Sequence, residues 1–209
     1  TRHAGRRLRA ELARKAAEKG TAVLTGAIVT PDHLLPLPAR AASEPLVTAL
    51  LAKLLLTRHG DFPALLPASD VAWTCDYALG LATQLQDVRR QLAEEDKSAA
   101  DLPALVPDEE RERWNDLARL EKSLFQALHP FGLEDPFHAL LQAARQLPAP
   151  PAFNRLVALF VPDFSARIVR TLQSIATHCA TEIHILAPAT EADRFDAWGR
   201  PIPARWENE

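Results

Sequence analysis

Apolar positions recur every three or four residues through most of the chain and bunch into short unbroken runs near both ends. The first periodic stretch, residues 4–19, puts Leu8, Leu12 and Ala16 on one helix face, with Gly20 placed to end it. Thr21 to Thr30, with AVLTGAIV inside it, is β-branched and short; it predicts a strand that Pro31 stops. LLPLPARAA reads as a loop by its prolines. From about 43 to 147 the period is helical again. Ser43 caps a helix carrying Leu46, Leu50, Leu51, Leu54 and Leu55, with Gly60 as terminator. A second helix is predicted from near Ser69, through Trp73, Tyr77, Leu81, Leu85, Val88 and Leu92. A third follows Pro107 with the acidic turn DEE and buries Trp114, Leu117, Leu120, Leu124 and Leu128. The fourth takes Asp135 as cap and Pro136 as first residue, then Phe137, Leu140, Leu141 and Ala144.

After the stiff connector LPAPPA the pattern changes. Leu156 to Val161 (LVALFV) is an unbroken apolar run, as in a strand covered on both faces. Ser165 caps a helix through Ile168, Leu172, Ile175 and Cys179, and TEIHILAP gives another strand. Strand, helix, strand with short joints predicts a βαβ unit with parallel neighbours. The expected fold class is therefore α/β. A parallel, Rossmann-like sheet draws on residues 1–40 and 153–190 and is interrupted by an all-helical insertion over 41–152; an extended tail covers 191–209. A basic helix that leads into a parallel-type strand also predicts a preceding strand, so the reading is of a fragment of something larger.

Composition sharpens this picture in three places. No apolar run approaches the roughly 18–20 residues of a membrane span, and no signal-peptide pattern follows the basic opening. Cys75 and Cys179 stand alone, without metal-type spacing, which fits a reducing compartment. The expectation is a cytoplasmic chain with no membrane partner. Glycine is scarce, 7 in 209 residues, which leaves few places for backbone amides to wrap a nucleotide phosphate. Net charge is −3, but residues 1–20 hold seven Lys or Arg against two Glu, so that +5 at the start faces −8 on the rest.

Catalytic motifs are missing: there is no phosphate-binding G-x-x-x-x-G-K-[ST] loop, no G-x-S-x-G elbow and no H-E-x-x-H pair. The seven histidines are scattered. PALVPDEE at 103–110 resembles a strand that ends in a magnesium-holding acid pair, but Pro103 and Pro107 interrupt it and a helix start accounts for the acids. Pro162-Asp163 and Glu182-Ile183-His184 imitate a metal-nuclease pattern, yet a helix lies between them and parallel strands would set them at opposite ends of the sheet. No catalytic residue, metal or cofactor is assigned. The positive signal is the basic helix, where Arg2, Arg6 and Arg9, with Arg7, Arg14, Lys15 and Lys19, surround the Leu8/Leu12 seam. That arrangement fits contacts to a phosphate backbone as well as a solvated face. Thr30 and His33, just after the predicted strand, add polar groups.

Several stretches carry a resemblance. TRHAGRRLRAEL and AIVTPDHLL, then ASEPLVTALLAKLL, FPALLP, the Trp114 helix, VALFVPD with TEIHILAP, and FDAWGRPIPARW, are similar to the early helicase-like region of AddB-type subunits of bacterial double-strand-break repair complexes, whose members include nucleases of the PD-(D/E)XK family. The resemblance implies a helicase-like first domain of an exonuclease subunit, with its nuclease far downstream and a helicase or nuclease partner subunit. Thr1, Arg2 and Arg6 match the family's Pro-Thr-Arg stretch, which borders the DNA groove in active helicases. LVALFV occupies the place of the Walker B strand but ends in Pro162-Asp163 with no following Glu, contrary to the family's ATPase pattern. The expected function is a non-catalytic, DNA-binding scaffold in DNA repair, with Thr1, Arg2, Arg6, Arg9 and Thr30 on the DNA. The alternative is a protein-interaction module that docks a motor or nuclease partner without touching DNA.

Overall fold

A computed structural model describes the chain except Thr1, residues 23–25, Pro36, residues 67–71, Pro148, Pro162 and residues 207–209. Helix accounts for 58% and strand for 7%, so the chain is mostly helical. It divides into two compact units, residues 1–36 and 37–209.

The first unit is built on α1 (Arg2–Glu18). Gly20, at φ +64°, ends this helix in the left-handed conformation that glycine adopts without a Cβ clash. The Thr21 amide then donates to the Ala16 carbonyl and the Gly20 amide to that of Ala17, a closed C-terminal turn as its position in the sequence predicts. Of the strand expected over 21–30, none of the described residues is in strand. Val23, Leu24 and Thr25 lie outside the described residues, and 26–30 take no regular structure. Ile28 instead packs against α1, so closely that a Cβ on Gly5 would lie 3.1 Å from its Cγ2. Ile28 thus covers a helix within its own unit, and none of residues 26–30 pairs with a strand.

The second unit begins with four helices, α2 (Glu44–Arg58), α3 (Cys75–Glu94), α4 (Asp108–Leu128) and α5 (Pro136–Arg145). α2 packs on α3 and α4 around Val47, Leu51, Leu55, Leu117, Leu120, Leu124 and Leu128, all 2% exposed or less. Each such leucine contributes about 1.5–3 kcal/mol by leaving water. Cap chemistry explains most of the boundaries. The Asp135 carboxylate accepts the His138 amide at 2.9 Å with Pro136 in the first turn, and Asp108, Glu109 and Glu110 fill the first turn of α4. Ser43 precedes α2 as expected, though its hydroxyl makes no capping bond. α3 starts at Cys75, later than the predicted Ser69, because Thr74 supplies the cap and accepts the Tyr77 amide at 3.2 Å. Ser69 itself is outside the described residues.

The only strands among the described residues are β1 (Arg155–Leu159) and β2 (Ala180–His184), paired in parallel from Arg155↔Ala180 to Leu159↔His184, with α6 (Ala166–Ala176) between them. The βαβ unit is therefore present, with Ser165 accepting the Ile168 amide and Ile168, Leu172 and Ile175 buried. Cys179 lies beyond the helix end. The larger expectation, one Rossmann-like, helicase-like parallel sheet with a helical insertion, is overturned: a two-stranded sheet stands beside a helical core, and nothing from residues 26–30 joins it. Nor is LVALFV covered on both faces. Arg155, Val157 and Leu159 are exposed while Leu156 and Ala158 are half-buried, the alternation of a strand covered on one side. Pairing stops where Phe160 turns to φ +53°, a conformation a bulky side chain rarely takes.

α6 packs on α5 and α3, and Asp96 fastens that junction. It ends α3 in the left-handed region (φ +55°), and its carboxylate takes Arg145 at 3.2 Å and Arg170 at 3.1 Å. The tail closes with a tight turn in which the Asp196 carboxylate accepts the amides of Trp198 and Arg200 at 2.8 and 2.9 Å. Gly199 (φ +77°) lies against β2 and its extension: a Cβ there would stand 2.7 Å from Ile185 Cγ2 and 3.2 Å from Ile183 Cγ2. Gly199→Ala is therefore expected to destabilise the unit by roughly 1–3 kcal/mol, read as a lowered midpoint in urea unfolding.

Candidate nucleic-acid interface

Helical geometry advances about 100° per residue, so positions 2, 6 and 9 of α1 lie within about 60° of one another. The opposite flank carries Glu11, Arg14 and Glu18, and it neutralises itself: Arg14 pairs with both glutamates. The hydrogen bond from Arg14 holds the Glu11 carboxyl below the usual carboxylate range, and the same contact raises the Arg14 guanidinium. Arg6, Arg7, Arg9 and Lys19 are exposed, and none reaches a carboxylate among the described residues. The helix thus has one internally paired flank and one unpaired cationic stripe.

Arginines of the second unit behave differently. Arg58, Arg90, Arg111, Arg113, Arg119, Arg145, Arg155, Arg170, Arg200 and Arg205 each meet a carboxylate on the surface or at its margin. Arg89 does so in the core. Arg40 and Arg167 meet no carboxylate among the described residues of this unit, but they stand apart in the sequence, whereas Arg6, Arg7 and Arg9 lie together on α1.

Thr1 lies outside the described residues, and Arg2 opens α1. Arg6 and Arg9 share the unpaired stripe. Thr30 is half-buried ahead of a single 3₁₀ turn, Pro31–His33, and its hydroxyl is 2.8 Å from the His33 Nδ1. The two polar groups meet each other, and Thr30 is not joined to the arginines by any contact among the described residues.

The nuclease-like pattern does not assemble. Glu182 sits opposite Val157 in the ladder, while Asp163 follows β1. The Glu182 carboxylate is held by Arg155 at 2.7 Å and lies 3.5 Å from His184, contacts that lower its pKa. Among the described residues no group of three or more His, Cys, Asp or Glu is placed to hold a metal ion. The acids of PALVPDEE form the first turn of α4. No described helix is long and apolar enough to cross a membrane.

Sequence reasoning missed the second unit's polar interior. Arg89, 2% exposed, is held by Glu121 at 2.7 Å and Asp135 at 2.8 Å and also bonds Gln86. Burial alone would lower its pKa; the two carboxylates outweigh it and raise it. A signal was present, because Arg89 lies one turn beyond Leu85 and Glu121 one turn beyond Leu117, opposite charges on two core-facing stripes. Buried between three helices, the cluster has a structural role. No protein-family model matches the chain, and neither a curated protein nor a solved structure is significantly similar to it.

Proposed function

We propose that this chain is a non-catalytic scaffold that contacts the phosphate backbone of DNA through α1, within the repair machinery that its sequence resemblance implies. The observation that carries the reading is the stripe of Arg6 and Arg9, which meet no carboxylate among the described residues, on a chain whose other arginines are mostly paired. Free guanidinium groups release counterions when they meet phosphates and give affinity that is independent of sequence and steeply dependent on salt.

Fluorescence anisotropy with a labelled 20-base-pair duplex over a salt series tests this. Arg6→Ala with Arg9→Ala is expected to weaken binding roughly 10- to 50-fold near 0.1 M salt and to reduce the log–log salt slope by about 2. Unchanged affinity and slope in the double variant would remove α1 from the interface.

A second reading, docking of a protein partner such as a motor or nuclease subunit, is favoured by the open side of the small sheet, where Val157, Leu159 and Phe160 are 42%, 38% and 60% exposed. Val157→Lys separates the two, since it would abolish partner capture while leaving the DNA salt slope intact.

A further inference from the structure

The second unit carries a cationic cleft that the α1 reading does not use. It opens between the turn that follows α2 and one face of α4, and it has a volume of about 540 Å³, within the roughly 300–1,000 Å³ of small-ligand sites. Arg119, Lys122, Ser123 and Gln126 line it at spacings of three, four and seven residues, which set them on one side of α4. Arg58 and Asp61 line the facing wall.

The charge bookkeeping of the lining favours an anion. Three cations line it against Asp61 in the wall and the buried Asp116 behind Arg119, which leaves one positive charge in excess. The Asp61 carboxylate is bound to Arg58 in an exposed pair, with the two side chains 48% and 53% exposed. Such a pair contributes only about 0.2–1 kcal/mol, so a phosphate oxygen can take the guanidinium over. Arg119 uses one terminal nitrogen on the buried Asp116 yet stays 59% exposed, and a guanidinium has donors to spare. Lys122 is exposed and has no ion-pair partner among the described residues. Gln126 and Ser123 add neutral polar groups at the same face. The Ser123 hydroxyl donates to the Arg119 carbonyl at 3.0 Å, which leaves its oxygen lone pairs free to accept.

We infer that this cleft is an oxyanion site for phosphate groups, held by Arg58, Arg119 and Lys122, and that it acts independently of α1. The same chemistry fits a nucleic-acid backbone or a free phosphate compound, and the probes separate them. The full chain carrying Arg6→Ala and Arg9→Ala is the background, so that the cleft is observed without the α1 stripe. A single-stranded DNA dodecamer and, separately, inorganic pyrophosphate are titrated while the amide resonances of Ser123 and Gln126 are followed. Lys122→Glu is then added to the background; a far-ultraviolet dichroism spectrum identical to the background's shows that the fold is kept.

Shifts at both amides with the dodecamer, together with a roughly three- to tenfold loss of residual affinity and a salt slope smaller by about 1 in Lys122→Glu, support a backbone site. Saturable shifts with pyrophosphate alone support a site for free phosphate compounds. If neither probe moves these amides and Lys122→Glu changes nothing, the inference is overturned. That result leaves the α1 reading untouched, just as a null effect of the α1 variant on the unmodified chain leaves the cleft untouched.

Discussion

Arg89→Ala costs the second unit about 3–5 kcal/mol, a large share of the roughly 5–15 kcal/mol that holds an ordinary domain folded. Among the described residues Arg89 is the ion-pair partner of both Glu121 and Asp135, whose side chains are 10% and 0% exposed. Its removal leaves two carboxylates in the core with no counter-charge. The damage spreads through their other duties, because Asp135 caps α5 through the His138 amide and Glu121 accepts the Ala99 amide at 3.2 Å. Three helices and the turn at Ala99–Asp101 lose their common anchor. Equilibrium urea unfolding measures the loss. Replacing the whole cluster, Arg89→Met with Glu121→Met and Asp135→Ser, is expected to recover most of it, since serine keeps a cap and no charge stays buried. A triple variant no more stable than Arg89→Ala would show that something other than unpaired charge sets the cost.

Asp116→Ala is expected to cost about 2–4 kcal/mol. This side chain is 1% exposed, and one of its oxygens accepts the amides of Ala64 at 2.7 Å and Leu65 at 3.2 Å. It fastens the turn after α2 onto α4, beside Phe62, which is 2% exposed. Alanine leaves two amides without partners and frees that turn. Burial alone would raise the Asp116 carboxyl's pKa; Arg119 and the two amides outweigh it and hold it below the usual range. A carboxyl whose folded pKa lies below its unfolded one stabilises the fold fully above the unfolded value, near 3.9, and loses that contribution as pH falls through the folded value. Acid unfolding below about pH 4 is therefore expected to be blunter in Asp116→Ala than in the parent, relative to each protein's stability at neutral pH.

The helices were legible because each combined a leucine stripe with terminal chemistry: Ser43 before Glu44-Pro45, Asp135 before Pro136, Ser165 before Ala166, Gly20 after α1. The βαβ unit was legible for the same reason, with a capped amphipathic helix between two apolar runs. The sheet beyond it was not. AVLTGAIV and LVALFV look alike as strings, but an apolar run records only that a surface is covered and leaves open what covers it. Ile28 covers Gly5 on α1, whereas Leu156 and Ala158 lie in a ladder. The start of α3 was displaced because Ser69 and Thr74 are equally good caps in isolation. The candidate interface was partly legible, in that the excess of cations on α1 stands in the sequence. Which of them are spent on Glu11 and Glu18 required the helix geometry, and the Thr30–His33 contact was legible only in three dimensions. The cleft at Arg58, Arg119 and Lys122 joins residues about sixty positions apart and left no local trace.

The most direct test maps where DNA touches the chain. Amide shifts are recorded along the full chain as a 12-base-pair duplex is added at low salt. Shifts concentrated in residues 2–19 that vanish as salt is raised are expected. An α1 that stays silent while binding is observed, or a chain that does not bind the duplex at low salt, would contradict the α1 reading.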